Sequence, residues 1–340
     1  MRCMVSKNKR IIALGLCLIL LLLSGCRNAQ QKKSVQFFSM DTLMQITAYG
    51  GSETDSALQK ARRLIESFDR EFDATDPDGW VSRLQNGEKP RGDIAAVLQT
   101  AQQIGNLTEG ALDLTLYPLS DAWGFYSKKY TVPDTEQIRT LLQNKGAWKI
   151  ENDIFSCTPG TKLDLGSVAK GYAGDQAAAI LRDAGIRSAV LSLGGNVQTV
   201  GAKPDGSSWT VAVADPNDPQ NTVGNLFLID MAAVTSGSYQ RNFRENGKLY
   251  HHILDPATGC PVENDLLSAT VVCREGVIAD GLSTALFVMG TEKSLQFYRT
   301  NVLSFEALFI TKRNEILITE GLADRFEKTN ADYRDAQILR

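Results

Sequence analysis

The sequence predicts an α+β fold in which helices flank mixed β-sheets and two intimately packed lobes form one domain. Two observations favour this class. The chain has 340 residues, of which 43% are apolar, so it can bury a sizeable core although it exceeds the roughly 150 residues of an average domain. Strand-like and helix-like patterns alternate only loosely, whereas a doubly wound parallel sheet requires regular alternation.

The first half of the chain is predicted to be mainly helical after one long strand. Alternating apolar residues predict that strand over Val35 to Tyr49. Apolar residues at helical spacing then predict a helix from Thr54 to Phe72. Further helices are predicted over Asp93 to Asn106 and over Asp134 to Gln143, the second of which follows Pro133.

The second half is predicted to mix seven strands with two helices. The strands are Thr161 to Leu165, Ser188 to Leu193, Trp209 to Ala214, Leu226 to Asp230, Leu267 to Cys273, Ala307 to Thr311 and Glu315 to Ile318. The helices are Ser167 to Asp183 and Ile278 to Met289. Glycine or turn residues close most of these segments.

The N-terminus carries an export pattern. Four basic residues precede an unbroken run of 13 apolar or small residues, Ile11 to Leu23, which suits a secretory signal better than a permanent membrane span. Leu23 to Cys26 resembles the lipobox of bacterial lipoproteins. We therefore expect residues 1–25 to be a signal peptide, lipid on Cys26 and an extracytoplasmic membrane anchor. An ordinary signal peptide or an N-terminal anchor with an incidental cysteine is the alternative. Residues 26–34 are expected to be a flexible tether, and residues 35–330 the domain.

Composition excludes several classes of function. Loss of the leader removes four basic and no acidic groups, so the net charge falls from −3 to −7, which argues against nucleic acid as a partner. Only three cysteines then remain besides Cys26, which excludes a disulfide scaffold. The two histidines, His251 and His252, are adjacent, so a three-histidine zinc centre is impossible.

Two segments carry candidate ligands for phosphate and metal. Asp164 ends a predicted strand, and Ser167 opens a helix whose N–H groups and Lys170 favour phosphate oxygens. A capped helix with an exposed lysine is the structural alternative. On a second helix, Asp280, Ser283 and Thr284 are spaced i, i+3 and i+4, so their oxygens share one face and suit Mg²⁺. A simple acidic cap is the alternative there.

Two further segments are weaker candidates. His251 and His252 point to opposite faces of a predicted strand, so at most one faces a site, where a histidine near a carboxylate such as Asp255 can act as a general base. Gly110 and Asp113 begin an apolar, aromatic stretch that can wall a flat ring or simply belong to the core.

Taken in order, the motifs resemble those of ApbE-type FAD:protein FMN transferases. The resemblance runs from about Phe38 to Gly290. It rests on Met40 to Met44, Ala111 to Asp113, LDLGSVAKGYAGD at Leu163, LSLGGNV at Leu191, AVTSGSYQRNF at Ala233, HHILDPATG at His251 and ADGLSTALFVMG at Ala279. Each motif alone is weak, whereas seven in series are specific. Departures occur at Asp41, Ser238 and Cys260, where relatives commonly have glycine, aspartate and an aromatic residue.

The resemblance implies a T-fold-like, Mg²⁺-dependent enzyme that cleaves FAD and transfers FMN to a Thr or Ser of an acceptor protein. The FAD-binding residues that it implies are Met40, Ala111, Leu112, Asp113, Asp164, Lys170 and Ile253. The metal ligands would be Ser167, Asp280, Ser283 and Thr284. His252, Asp255 and Lys170 are the catalytic candidates, and the partner would be an extracytoplasmic acceptor of the electron-transfer flavoprotein subunit type.

Three alternative functions remain open at this stage. The chain could hydrolyse FAD as a pyrophosphatase, or it could be a flavin-binding lipoprotein without catalysis. Ser167 to Lys170 also matches the S-x-x-K of serine acyl-enzymes such as β-lactamases. The companion motifs of that class are missing, because Ala122 follows Ser120 and Asp121, and Asn330 follows Lys328 and Thr329.

Overall fold

The computed structural model describes residues 31–90, 92–152 and 154–339. Its strands are β1 (Gln31–Ser39), β2 (Thr42–Gly50), β3 (Trp148–Glu151), β4 (Ile154–Cys157), β5 (Ser188–Ser192), β6 (Asn196–Val200), β7 (Trp209–Ala214), β8 (Thr222–Leu228), β9 (Ala232–Gly237), β10 (Asn242–Glu245), β11 (Lys248–His251), β12 (Leu266–Cys273), β13 (Glu306–Thr311), β14 (Ile316–Thr319), β15 (Phe326–Lys328) and β16 (Gln337–Leu339). Its α-helices are α1 (Thr54–Glu71), α2 (Trp80–Gln85), α3 (Asp93–Leu107), α4 (Tyr117–Ala122), α5 (Thr135–Gln143), α6 (Ala169–Asp183) and α7 (Gly276–Arg299).

A nine-stranded sheet organises the fold, in the order β1-β2-β5-β6-β9-β12-β13-β14-β16. Its neighbouring strands run antiparallel except for β14 and β16, which run parallel. The sheet is therefore mixed, which confirms the predicted α+β class. Strands from both halves of the chain share it.

The two faces of this sheet bury different partners. Successive side chains of a strand point to opposite faces; thus Val271 packs into the core beneath the helices, whereas the next residue, Val272, packs toward a second sheet. That second sheet has the order β15-β8-β7. Helices α1, α6 and α7 cover the first face, with Leu58, Ala173 and Leu282 fully buried against it.

Helix α7 is the longest helix and is broken once. Gly290 has φ 75° and interrupts it, so its first segment ends at the predicted Met289. The segment after Gly290, up to Arg299, was not predicted. Within the described residues, no helix combines the length and apolarity needed to cross a membrane.

The prediction of one strand over Val35 to Tyr49 is wrong in one respect, because this segment forms the hairpin of β1 and β2. Met40 and Asp41 have φ 47° and 60°, and this left-handed pair makes a two-residue turn that pairs Ser39 with Thr42. Such turns usually carry glycine or asparagine, and neither residue type is present here to indicate a turn.

The predicted domain boundaries also need correction. Strand β1 begins at Gln31 and its first four residues pair with residues 47–50, so the predicted tether over 26–34 ends earlier than expected. At the other end, β16 pairs with β14 through Leu339, which extends the fold past residue 330. The predicted signal peptide and Cys26 lie outside the described residues.

The predicted strand over Thr161 to Leu165 does not form. Its burial alternates as a strand's would, but the segment joins no ladder and Asp164 N–H donates instead to the Leu114 carbonyl at 2.8 Å. The following helix starts at Ala169 rather than Ser167, because Gly166, Ser167 and Val168 form a turn.

Candidate functional site

A cavity of about 530 Å³ opens beside the first turns of α6 and α7. The β1–β2 turn, the end of α1, the start of β6, the end of β9, helix α4 and the segments before α4 and after β11 also contribute to its wall. Its volume lies within the range of small-molecule sites. The predicted site residues that line it are Met40, Ala111, Leu112, Asp113, Asp164, Ser167, Lys170, His252, Ile253, Asp280 and Thr284.

Two predicted site residues do not line this cavity. Ser283 is fully buried, and its hydroxyl donates to the Asp280 carbonyl at 2.9 Å and lies 2.8 Å from the Ser236 hydroxyl. Asp255 shapes the turn after His252, where its carboxylate accepts the Ala257 N–H at 2.8 Å. Both residues therefore make structural contacts and do not line the cavity.

Asp280 is the buried carboxylate of the site. Its Oδ2 accepts the N–H of Gly171, in the first turn of α6, at 2.7 Å, so this N–H is not free for phosphate as the sequence had suggested. Burial raises the pKa of Asp280 to about 6, although the Lys170 charge, the Gly171 N–H and the Asn196 amide oppose the rise. A cation that binds beside such a buried carboxylate stabilises its ionised form.

Hydroxyl groups surround this carboxylate. Thr284 lies one helical turn after Asp280, and its hydroxyl is 3.2 Å from that of Ser236 on β9. Ser167 lines the same wall from the turn before α6. One carboxylate with neighbouring hydroxyls is a hard oxygen set, and Mg²⁺ fits such a set because it retains water and substrate oxygens as its other ligands. The described residues hold no cluster of three or more acidic, histidine or cysteine side chains that could bind a metal ion.

Lys170 supplies positive charge to the cavity. Its ammonium makes no ion pair with any described residue, whereas the other lysine and arginine in the wall, Lys128 and Arg241, are both close to Asp41. An unpaired lysine beside a helix N-terminus is an anion-binding arrangement.

The two histidines take different environments, as predicted from their adjacency. His251 is buried and donates from Nε2 to the Val262 carbonyl at 3.1 Å. His252 lines the cavity and its Nδ1 lies 3.3 Å from the Arg241 carbonyl. Because a carbonyl only accepts, Nδ1 carries the proton and Nε2 of neutral His252 holds a lone pair.

Burial lowers the pKa of His252 to about 3, and the positive charges of Arg241, His251 and Lys170 act in the same direction. Burial also lowers the pKa of His251, while the hydrogen bond to Val262 opposes this effect. Both histidines are therefore neutral near pH 7. His252 is a proton acceptor without being a strong base.

Asp113 is held in place by a residue that the sequence did not point to. Lys145 pairs with its Oδ2 at 2.6 Å and also donates to the Pro256 carbonyl at 3.3 Å. The other carboxylate oxygen of Asp113 accepts the N–H and hydroxyl of Thr115. Lys145 thereby ties one side of the cavity to the turn after His252.

Sequence reasoning also missed Ser236, Asn196, Arg241 and Tyr126, which all line the cavity. Ser236 and Asn196 stand inside the AVTSGSYQRNF and LSLGGNV segments, where a polar residue beside glycine at a strand end was an available signal. Tyr126 gave no such signal. Its pKa is raised by burial and by the nearby Asp164.

Fold and cavity together define a class of α+β protein with a cavity where a lysine and a buried carboxylate meet. The sequence profile described as the ApbE family matches residues 40–309. The chain belongs to this family.

Characterised relatives and solved structures agree with that assignment. A FAD:protein FMN transferase of Vibrio cholerae is 30% identical over 310 residues, which cover 87% of this chain and 92% of that protein. One from Klebsiella pneumoniae is 33% identical over 247 residues, or 71% and 76% of the two chains. The ApbE protein of Thermotoga maritima superimposes with a TM-score of 0.75 at 27% identity, over 89% and 98% of the chains. The flavin transferase ApbE of Vibrio cholerae gives 0.73 at 28% identity, over 88% and 97%.

Proposed function

We propose that this protein is a FAD:protein FMN transferase that requires Mg²⁺ and releases AMP. The observation that carries the proposal is the meeting of Lys170 and Asp280 in one cavity, with the implied FAD-binding residues Met40, Leu112 and Ile253 around them. The names of the relatives support flavin transfer to a protein.

Different residues of the cavity wall bind different parts of FAD. Lys170 offsets the charge of the FAD pyrophosphate, because among the described residues it is the cation of the wall that forms no ion pair with a carboxylate. Met40, Leu112 and Ile253 provide apolar contacts for the flavin, and Asp113, fixed by Lys145, offers oxygens to its polar edge.

Asp280 and Thr284 are the proposed Mg²⁺ ligands, with Ser167 contributing from the preceding turn. Mg²⁺ bound there would neutralise pyrophosphate charge as the P–O–P bridge breaks. The fit rests on the buried carboxylate and its neighbouring hydroxyls. Ser283 holds the Asp280 backbone rather than the ion.

In the transfer step, the acceptor hydroxyl oxygen bonds to the FMN phosphorus and AMP leaves. The hydroxyl proton needs an acceptor, and His252 Nε2 supports this role because Nδ1 already carries its own proton. Phosphoryl transfer depends more on positioning and charge neutralisation than on a strong base. A weakly basic His252 is compatible with that demand.

The leader supports a location for this activity. Lipid on Cys26 would hold the enzyme on the extracytoplasmic side of the membrane, and the acceptor would be an exported protein of the electron-transfer flavoprotein subunit type. This part of the proposal rests on the sequence pattern alone.

The test combines the protein without its leader, FAD, Mg²⁺ and a folded flavin-acceptor domain of that subunit type. We expect the acceptor to gain the mass of one FMN and AMP to appear in equal amount. Lys170→Met should reduce the rate about 100-fold or more, whereas Lys60→Met, on the exposed face of α1, should leave it unchanged.

Other outcomes would identify the alternatives. AMP and free FMN without acceptor labelling would indicate an FAD pyrophosphatase, and FAD binding without AMP would indicate a flavin-binding protein. Labelling of Ser167 by a penicillin would indicate a serine acyl-enzyme. No hydrogen bond joins Ser167 to Lys170 in the described structure, although that mechanism requires a base within reach of the nucleophile.

A further inference from the structure

Phe38 and Leu43 form an exposed apolar pair at the tip of the β1–β2 hairpin. They are cross-strand neighbours and are 68% and 59% exposed. Scattered exposed apolar residues are normal on protein surfaces. These two are instead side by side, and Phe38 is also part of the cavity wall. A molecule that enters the cavity past the hairpin therefore meets this pair first.

Apolar exposure on this face of the hairpin is confined to the end nearest the cavity. Along the same face the next cross-strand pairs are Gln36 with Gln45 and Ser34 with Thr47, all of them polar. Two side chains are too small a patch for a large permanent interface, but they suit the anchor of a transient one, where a few central residues carry most of the binding energy.

The pair stands on a rigid base. The neighbouring Phe37 and Met44 point into the core and are buried. At the turn, the Asp41 carboxylate lies 3.7 Å from Lys128 and 3.5 Å from Arg241, so three segments meet at the rim. A surface that is already ordered loses little conformational entropy on binding.

We infer that Phe38 and Leu43 are the docking surface for the acceptor protein, and that the acceptor places an apolar side chain on them beside the Ser or Thr that enters the cavity. This inference rests on the proposed function, because a transferase must admit a protein segment at its cavity rim. A membrane is a poorer occupant, since Asp69 and Asp73 line the same region and repel anionic lipid.

The test measures acceptor binding and FMN transfer separately for Leu43→Ser, because Leu43 lies outside the cavity wall. Ile338→Ser is the matched control: Ile338 is 47% exposed on the opposite edge strand of the same sheet. The probe is the folded flavin-acceptor domain, with binding followed by fluorescence anisotropy. We expect Leu43→Ser to raise both the acceptor Kd and the acceptor KM about tenfold. The FAD affinity and the rate at saturating acceptor should stay within about twofold of the wild-type values.

Two results would overturn the inference: an unchanged acceptor Kd in Leu43→Ser, or an equal rise in Ile338→Ser. If the acceptor Kd is unchanged while Leu43→Ser loses binding to vesicles of anionic phospholipid, the pair contacts a membrane instead. If the wild type binds the domain but transfers no FMN, the proposed function fails. The anisotropy comparison still decides the docking surface in that case.

Discussion

Asp175 and Asp280 each hold the first turn of the other's helix. Asp175, on α6, accepts the N–H groups of Gly276 and Val277 at 2.7 and 2.9 Å where α7 begins. Asp280, on α7, accepts the Gly171 N–H at 2.7 Å where α6 begins. Both carboxylates satisfy N–H groups at helix N-termini that lack intrahelical partners. The two helices are thereby locked at the point where Lys170 and Asp280 face the cavity.

Asp175→Asn should weaken Mg²⁺ binding, although residue 175 is not one of the proposed Mg²⁺ ligands. Asp175 also accepts an N–H from Gln198 at 2.9 Å, and an amide oxygen cannot serve all three donors. We expect a loss of about 1–3 kcal/mol in the free energy of unfolding and a rise of about tenfold in half-saturating Mg²⁺, with kcat largely retained at high Mg²⁺.

Electron paramagnetic resonance with Mn²⁺ measures that affinity without turnover. Asp183→Asn, at the exposed end of α6, is the matched control. If Mn²⁺ affinity is unchanged in Asp175→Asn while kcat falls, the positioning role of Asp175 is wrong.

Asp280→Asn should abolish transfer and yet stabilise the metal-free protein. Burial raises the pKa of this carboxyl to about 6, so the folded state binds more protons than the unfolded state between about pH 4 and 6. Ionised Asp280 consequently lowers stability above pH 6, and a neutral amide removes that cost. We expect the rate to fall at least 100-fold and the metal-free Tm at pH 7.5 to rise by about 2 °C. A decrease in Tm would show that the carboxylate stabilises the fold without metal.

Gly171→Ala should separate α6 from α7. A Cβ at this position would overlap the Gly276 carbonyl and lie 2.7 Å from Asp280 Cβ, and backbone atoms cannot rotate away. We expect destabilisation of about 2 kcal/mol or more together with loss of Mg²⁺-dependent transfer. Gly51→Ala is the control, because its Cβ would meet nothing within 4 Å. Equal thermal stability of the two variants would contradict the close helix packing.

Neither histidine should titrate near pH 6.5 in the folded protein. Burial lowers the pKa of His251, and burial together with the Arg241 charge lowers that of His252 to about 3. At these two histidines the unfolded chain therefore binds more protons than the folded one below about pH 6.5, and their contribution to stability should fall as the pH drops through that value. Nuclear magnetic resonance of two histidine rings tests this directly.

Arg241→Gln removes a positive charge that lowers the pKa of His252 and should therefore raise that pKa. Arg244→Gln, on the exposed β10–β11 hairpin, should leave the pKa of His252 unchanged. A wild-type histidine with a titration midpoint between pH 6 and 7 would disagree with the buried environment.

Much of the candidate site could be predicted because its residues stand in short contiguous segments with recognisable helix or turn patterns. Lys170 lies in the first turn of α6 and Asp280 in the second turn of α7, and spacing along one helix fixes which side chains share a face. Asp255 and Ser283 have residue types and spacings that also suit the site, and they were predicted for that reason. They do not line the cavity, because their orientation depends on how the turn and the helix pack. Local pattern does not determine that packing.

The sequence by itself determined the α+β class, most of the described helices, about half of the described strands and the groups of residues proposed to bind phosphate and metal, because these depend on local periodicity and side-chain chemistry. Tertiary structure alone decided the hairpin at Met40 and Asp41 and the assembly of seven separate strands and helices around one cavity. It also brought together Lys145 with Asp113 and Asp175 with the start of α7, which lie 32 and 101 residues apart in the chain. Contacts over such distances arise from strand order and helix packing, which no short segment encodes.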